Sequence, residues 1–186
     1  MTAGADPAQS VGEPRLVRDA SRELGVALGT LWLAVVRAGG AVSFRADDPE
    51  DDIRRAGHAQ VEDVRTGGQD LIVLDAGDGA GALAGTVFLK RGAGSPFRHR
   101  AEIHRLMVRP DLQGRGLGTR LLDAAVAHGA EIGLEQILLA VRGGTWMLDF
   151  YRDRGWTEVG VWPGALVIAP GEVRDQHWFQ LRLGRP

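Results

Sequence analysis

Three glycines at alternate positions, Gly114, Gly116 and Gly118, stand in the run Gln113-Gly114-Arg115-Gly116-Leu117-Gly118. Ahead of them, Ala101 to Val108 has the content of a strand, with Ile103, Leu106, Met107 and Val108 giving it a buried face. Pro110 has no backbone donor and disfavours helical angles at Arg109, so the strand should end there. Behind the glycines, Leu117, Leu121, Leu122, Ala125 and Val126 recur at helical spacing. The order is strand, glycine-rich turn, helix. The first amides of a helix have no intrahelical partner and lie at the positive end of its dipole, which suits an anion. Glycine lets a phosphate approach the backbone, and Arg115, with Arg120 further along, brings cationic donors shaped for phosphate oxygens. Gln113 to Thr119 therefore reads as a pyrophosphate cradle.

The elements around the cradle narrow its ligand. A P-loop needs Gly-Lys-Ser/Thr at the helix start, and the only lysine is Lys90. A dinucleotide fingerprint would put its third glycine where Thr119 stands, and the next strand, Gln136 to Val141, ends without an acidic residue for a ribose hydroxyl. On Gln113-Gly114-Arg115-Gly116-Leu117-Gly118 the chain instead resembles the GNAT acetyltransferases, whose signature is a strand followed by Q/R-x-x-G-x-G/A opening a helix. The resemblance implies an α/β (α+β) fold with a central mixed sheet flanked by about four helices. It also implies acetyl-CoA as co-substrate, its pyrophosphate held by Gln113, Gly114, Arg115, Gly116, Leu117, Gly118 and Thr119. The pantetheine would align like an added strand on backbone groups of Leu106, Met107 and Val108.

A second chemical feature is Asp149-Phe150-Tyr151-Arg152-Asp153-Arg154-Gly155-Trp156, which by composition is a helix end, a glycine cap and the start of a strand. GNAT enzymes commonly carry a tyrosine four residues before such a glycine, and the resemblance makes Tyr151, the chain's only tyrosine, the acid that protonates the departing thiolate. A packed core tyrosine with its hydroxyl tied to backbone is the competing reading. Amine transfer also requires a base, because an alkylammonium is not a nucleophile. Glu102 and His104, two apart on a strand, share a face. Glu102, directly or through a water, is the candidate, since a carboxylate there also attracts a cationic amine; His104 is the alternative. His58, His99, His128 and His177 have no metal-ligand spacing and read as surface or loop residues, so no metal is expected.

The likeness extends beyond the cradle. Gly39-Gly40-Ala41-Val42-Ser43-Phe44, Ala101-Glu102, Phe150-Tyr151, Thr157-Glu158-Val159-Gly160 and Pro163-Gly164 resemble members of that family that acetylate the amine of an amino-acid toxin. Ala140 stands where such enzymes carry an aspartate, and Gly144 where many place an asparagine. The acceptor class implied is a small primary amine, such as an amino-acid-like antibiotic or toxin. An acetyl-CoA sensor without turnover, and a nucleotide-binding domain of another fold, are the alternatives.

Composition bounds the rest. The 186 residues, 44% hydrophobic and 25% charged, fit one ordinary globular domain, taken as 14–186 behind a disordered leader, 1–13. A net charge of -2 argues against a nucleic-acid binder. With no cysteine there is no thiol to carry an acyl intermediate, so a ternary mechanism is expected. Leu24 to Val36 is too short to cross a bilayer, and no signal peptide is visible; a cytoplasmic, non-membrane protein is the expectation. Along the chain, Pro14 to Arg18 reads as a first strand. A helix starts at Ser21 with the stripe Leu24, Leu28, Leu31 and Val35, and stops at Gly39-Gly40. A second, acidic helix runs from Asp48-Pro49 to about Arg65. Strands follow at Leu71 to Leu74 and Ala82 to Lys90, and after the cradle helix at Gln136 to Val141. Thr145 to Arg154 reads as a short helix, then Trp156 to Trp162 and Gln176 to Leu183 as strands separated by a loop holding Pro163, Gly164 and Pro170. A monomer or a homodimer paired through the last strand is expected.

Overall fold

The computed structural model describes residues 11–40, 42–77 and 81–184. The strands are β1 (Arg15–Leu16), β2 (Asp70–Asp75), β3 (Leu83–Arg91), β4 (Arg100–Val108), β5 (Gln136–Arg142), β6 (Thr157–Ala169) and β7 (Glu172–Arg182). The helices are α1 (Arg22–Arg37), α2 (Glu50–Arg65), α3 (Leu117–Glu131) and α4 (Met147–Arg152). Strand order is β1-β2-β3-β4-β5-β7-β6, with β4 and β5 parallel and β5-β7 and β6-β7 antiparallel, which is the mixed sheet expected from the sequence. No helix among the described residues is long and apolar enough to cross a membrane. The leader falls largely on residues 1–10, outside the described residues, while the Gly12 amide donates to the Asp75 carbonyl at 3.2 Å.

Chain contacts cluster into two compact units, Met1–Phe88 with Arg105–Ala125, and Leu89–His104 with Val126–Pro186. In the first, Ser21 caps α1 by accepting from the Leu24 amide at 3.3 Å, as its position predicts. The buried face of α1, Leu28, Leu31, Trp32, Val35 and Val36, joins Ile53 and Val61 of α2 and Leu71, Val73, Phe88 and Met107 of the strands in one core. Glycine makes the helix crossing possible: a Cβ on Gly57 would stand 2.7 Å from the Gly29 nitrogen. On the sheet side, a Cβ on Gly85 would meet Leu121 Cδ1 at 2.8 Å, so α3 packs directly on β3 there.

In the second unit, β5 pairs with β7 from Gln136↔Arg182 to Arg142↔Gln176, around buried Ile137, Leu139, Val141 and Phe179. Here the structure corrects the sequence reading. Pro163-Gly164 does not end a strand; β6 runs through it to Ala169, and the turn falls at Pro170-Gly171. β6 is the last strand in the order, where proline costs no ladder bond, and the register shifts between Trp162 and Leu166. Gly164, at φ 65°, donates its amide to Asp175 Oδ1 at 2.9 Å. A second correction follows: β7 lies between β5 and β6, so its backbone is not an edge free to pair with another copy.

Candidate active site

The candidate cradle, Gln113 to Thr119, takes its form from one strand end and one helix start. After Val108, residues Pro110–Leu112 form a single 3₁₀ turn, and the Arg109 amide donates to the Ala84 carbonyl at 2.8 Å. The Arg109 guanidinium grips Asp111 through two bonds of 2.8 and 3.0 Å, and Gln113 Nε2 donates to the Val108 carbonyl at 3.1 Å. These contacts fix the turn before α3. Gly114 and Gly116 have φ of 75° and 77°, a region that costs other residues about 1–2 kcal/mol. A Cβ on either would meet no protein atom within 4 Å, so the glycines face open space. A Cβ on Gly118, already helical, would come no closer than 3.9 Å to a side chain, at Val108 Cγ2.

Arg115 is exposed. Arg120 is drawn elsewhere: its Nη2 donates to the Gly12 carbonyl at 2.7 Å and stands 3.1 Å from Glu13 Oε1. A positive helix end, two left-handed glycines opening onto space and a nearby cation fit a phosphate-bearing ligand. Leu106, Met107 and Val108 close β4, with Met107 buried and the other two partly exposed.

Glu102 and His104 lie on the first part of β4, in the second unit, where Arg100–Ile103 pairs with Gln136–Leu139 of β5. The shared face expected from their spacing brings His104 Nε2 to 3.5 Å from Glu102 Oε1. Burial pushes the Glu102 carboxyl above its ordinary value of 4.5, against the opposing pull of Arg100 and Lys90. A raised carboxyl is better matched to taking a proton near neutral pH.

Tyr151 sits on α4, its ring edge-on to Phe150 and Trp156 and tilted against Phe179. Burial pushes its phenol up to about 12, with Arg154 pulling the other way, so it holds its proton through the neutral range. Among the described residues, the polar side-chain atoms both sealed from solvent and unpartnered are Thr86 Oγ1 and Arg105 Nε. The Tyr151 hydroxyl has no hydrogen-bond partner among the described residues and is not one of these sealed atoms, so it keeps an open edge. A core tyrosine tied to backbone would look different.

Residues that sequence reading passed over hold α4 in place. Arg152 bonds Asp149 at 2.9 Å and Glu158 at 2.6 Å, and Glu158 in turn meets His177 Nδ1 at 2.7 Å. His177 is therefore a partly buried strand residue rather than a loop one. His58 is exposed on α2, as its reading as a surface residue expects, with its ring over the space a Cβ on Gly25 would need. The charge alternation Arg152…Glu158 was the available signal. His177 gave none, because its partner lies 19 residues away.

Comparison with known proteins bears on the family and the fold. The model of the acetyltransferase (GNAT) family matches residues 40–156, which include the cradle, Glu102 and Tyr151. The chain belongs to that family. A mycothiol acetyltransferase of Propionibacterium freudenreichii is 36% identical over 104 residues, 55% of this chain and 33% of that protein, so the match spans about a third of the relative's length. Among solved structures, a GNAT superfamily phosphinothricin acetyltransferase from Sinorhizobium meliloti in complex with AcCoA superposes with a TM-score of 0.71 at 20% identity, covering 93% of this chain and 90% of that one. A ribosomal-protein-alanine N-acetyltransferase from Brucella melitensis gives 0.70 at 18% identity, covering 91% and 99%.

Proposed function

We propose that this chain moves the acetyl group of acetyl-CoA to the primary amine of a small amino-acid-like molecule by direct transfer in a ternary complex. The observation that carries the reading is the cradle: Gly114 and Gly116 held left-handed, open to space, at the start of α3. When bound, acetyl-CoA supplies a thioester whose acyl carbon is the electrophile. Gln113, Gly114, Arg115, Gly116, Leu117, Gly118 and Thr119 hold its pyrophosphate through helix-end amides and the Arg115 charge. Backbone groups of Leu106, Met107 and Val108 order the pantetheine arm. Glu102 takes the proton from the acceptor ammonium, directly, through a water or with His104 beside it. Tyr151 gives its phenolic proton to the departing thiolate. Amino-acid-like chemistry for the acceptor is supported by the phosphinothricin acetyltransferase neighbour and by motif resemblance to the tabtoxin resistance protein at Gly39 to Phe44 and Thr157 to Gly160.

Thiol release read with a disulfide dye tests this directly, since the chain has no cysteine to give background. Amino acids, phosphinothricin, aminoglycosides and polyamines form the panel. Release that depends on the amine, with thermal stabilisation by acetyl-CoA, is expected. Stabilisation without release on any amine would mean a sensor, and absence of both would remove the cradle reading.

A further inference from the structure

Arg105 is the described residue where the most local rules are broken at once. It lies in β4 with φ 49°, a left-handed angle that an unbranched L residue adopts only when its surroundings impose it. Its guanidinium carbon stands 5.0 Å from the Trp32 ring centroid and 5.9 Å from that of Phe88, both fully buried core rings. Trp32 is itself fixed, donating Nε1 to the Val42 carbonyl at 2.7 Å with Phe44 edge-on against it. The cation is therefore held from two sides. Yet it makes no hydrogen bond or ion pair among the described residues, and its Nε is sealed from solvent. Asp63 of α2 acts on it electrostatically from beyond ion-pair distance. A partly desolvated guanidinium that no carboxylate among the described residues contacts is a site prepared for an anion.

We propose that Arg105 binds the carboxylate of the acceptor through its two terminal nitrogens, so that the acceptor class is an amine that also carries a carboxylate. This inference rests on amine acetylation being the chain's reaction. With Nε turned into the core, the end-on pair of nitrogens is what remains, and its fork matches the two oxygens of a carboxylate. Under the proposed function the phosphates of acetyl-CoA belong to the cradle at α3, on the other side of the strand. Val108 faces α3, where its Cγ2 nears Gly118, whereas Met107 belongs to the core shared with α1 and α2. Arg105, two residues before Met107 and stacked on Trp32 of α1, lies on that second face, away from the phosphate helix.

The test pairs each carboxylate probe with its decarboxylated amine: L-phenylalanine with phenethylamine, L-lysine with cadaverine, and phosphinothricin with its amine. Thiol release gives kcat/KM for each, and calorimetric titration in the presence of CoA gives binding without turnover. The wild-type protein should prefer the carboxylate member of at least one pair by about 10- to 100-fold. In Arg105→Met that ratio should fall toward one, mainly through KM, and Arg105→Lys should restore part of it. A merely structural cation over Trp32 would lower both members in proportion and leave the ratio intact, and that result overturns the proposal. Arg105-dependent calorimetric binding of carboxylates with no thiol release from any probe would uphold this site while removing the acetyl-transfer reading. Release from amines with no carboxylate preference would do the reverse. If no probe binds in an Arg105-dependent way, the carboxylate site is wrong whatever the release assay gives.

Discussion

Tyr151 lets packing and the proposed chemistry be tested apart within one side chain. Its ring is buried among Phe150, Trp156 and Phe179, and its hydroxyl makes no hydrogen bond among the described residues. Tyr151→Phe keeps the ring contacts and removes a hydroxyl that has no hydrogen-bond partner among the described residues. Its urea midpoint should therefore match the wild type, while kcat falls by about 10²- to 10⁴-fold if the phenol protonates the thiolate. Unchanged turnover would leave Tyr151 a core residue. The sequence made this residue legible because it is the chain's only tyrosine and sits four before a helix-ending glycine. Arg105 was not legible. An arginine in an alternating strand reads as solvent-facing, and nothing local to it announces a left-handed backbone or a ring 73 positions earlier, Trp32.

At the scale of elements, the helices and most strand boundaries follow from local signals: Ser21 as a cap, the α1 stripe, Gly39-Gly40 as a stop, and Pro110 with the spaced glycines before α3. The extension of β6 was missed because Pro163-Gly164 signals a loop wherever a strand is interior. Only the strand's place at the end of the sheet order makes that pair tolerable. The apolar run Leu166-Val167-Ile168 beyond it was the overlooked hint. The closeness of α1 to α2 was also hidden, since Gly25, Gly29 and Gly57 look like weak points in helices. Their role is contact. A Cβ on Gly57 would meet the Gly29 backbone at 2.7 and 2.8 Å, atoms that move only if a helix moves. A Cβ on Gly25 meets instead the His58 ring, nearest at 2.5 Å, which can swing away. Gly57→Ala should thus lose about 1–3 kcal/mol, read as a lower urea midpoint at unchanged slope, and Gly25→Ala distinctly less. Equal losses would mean that lost helix contact is not what the glycines prevent.

For the molecule as a whole, stability against pH is set by ionisable groups pulling in opposite directions. Arg15 clasps Asp75 through bonds of 2.6 and 2.9 Å and holds its carboxyl below the ordinary 3.8. Arg109 does the same to Asp111, and Arg152 with His177 to Glu158. A carboxyl depressed by folding adds stability above its unfolded value, and that stability disappears as pH falls through the folded one. Glu102 has the opposite sign. Burial raises it above 4.5, so its favourable share is complete below 4.5 and is lost as pH rises through the raised value, because the charge must then be carried in a desolvated place. Acidification from neutral pH should accordingly first relieve Glu102 and then, below about pH 4, dismantle the paired carboxylates. Solvent decides the sizes: Arg15 and Asp75 are 53% and 43% exposed, so screening limits that pair to about 1 kcal/mol or less. Urea midpoints of the wild type, Glu102→Gln and Asp75→Asn at a series of pH values separate the two effects. Glu102→Gln should be the more stable protein at pH 7 and lose its advantage as pH falls toward 4.5, while Asp75→Asn should be weaker at pH 7 and converge on the wild type in acid. A Glu102→Gln protein less stable than the wild type at pH 7 would mean that the Glu102 carboxylate is held by partners that outweigh its burial, and the case that burial raises this carboxyl would go with it.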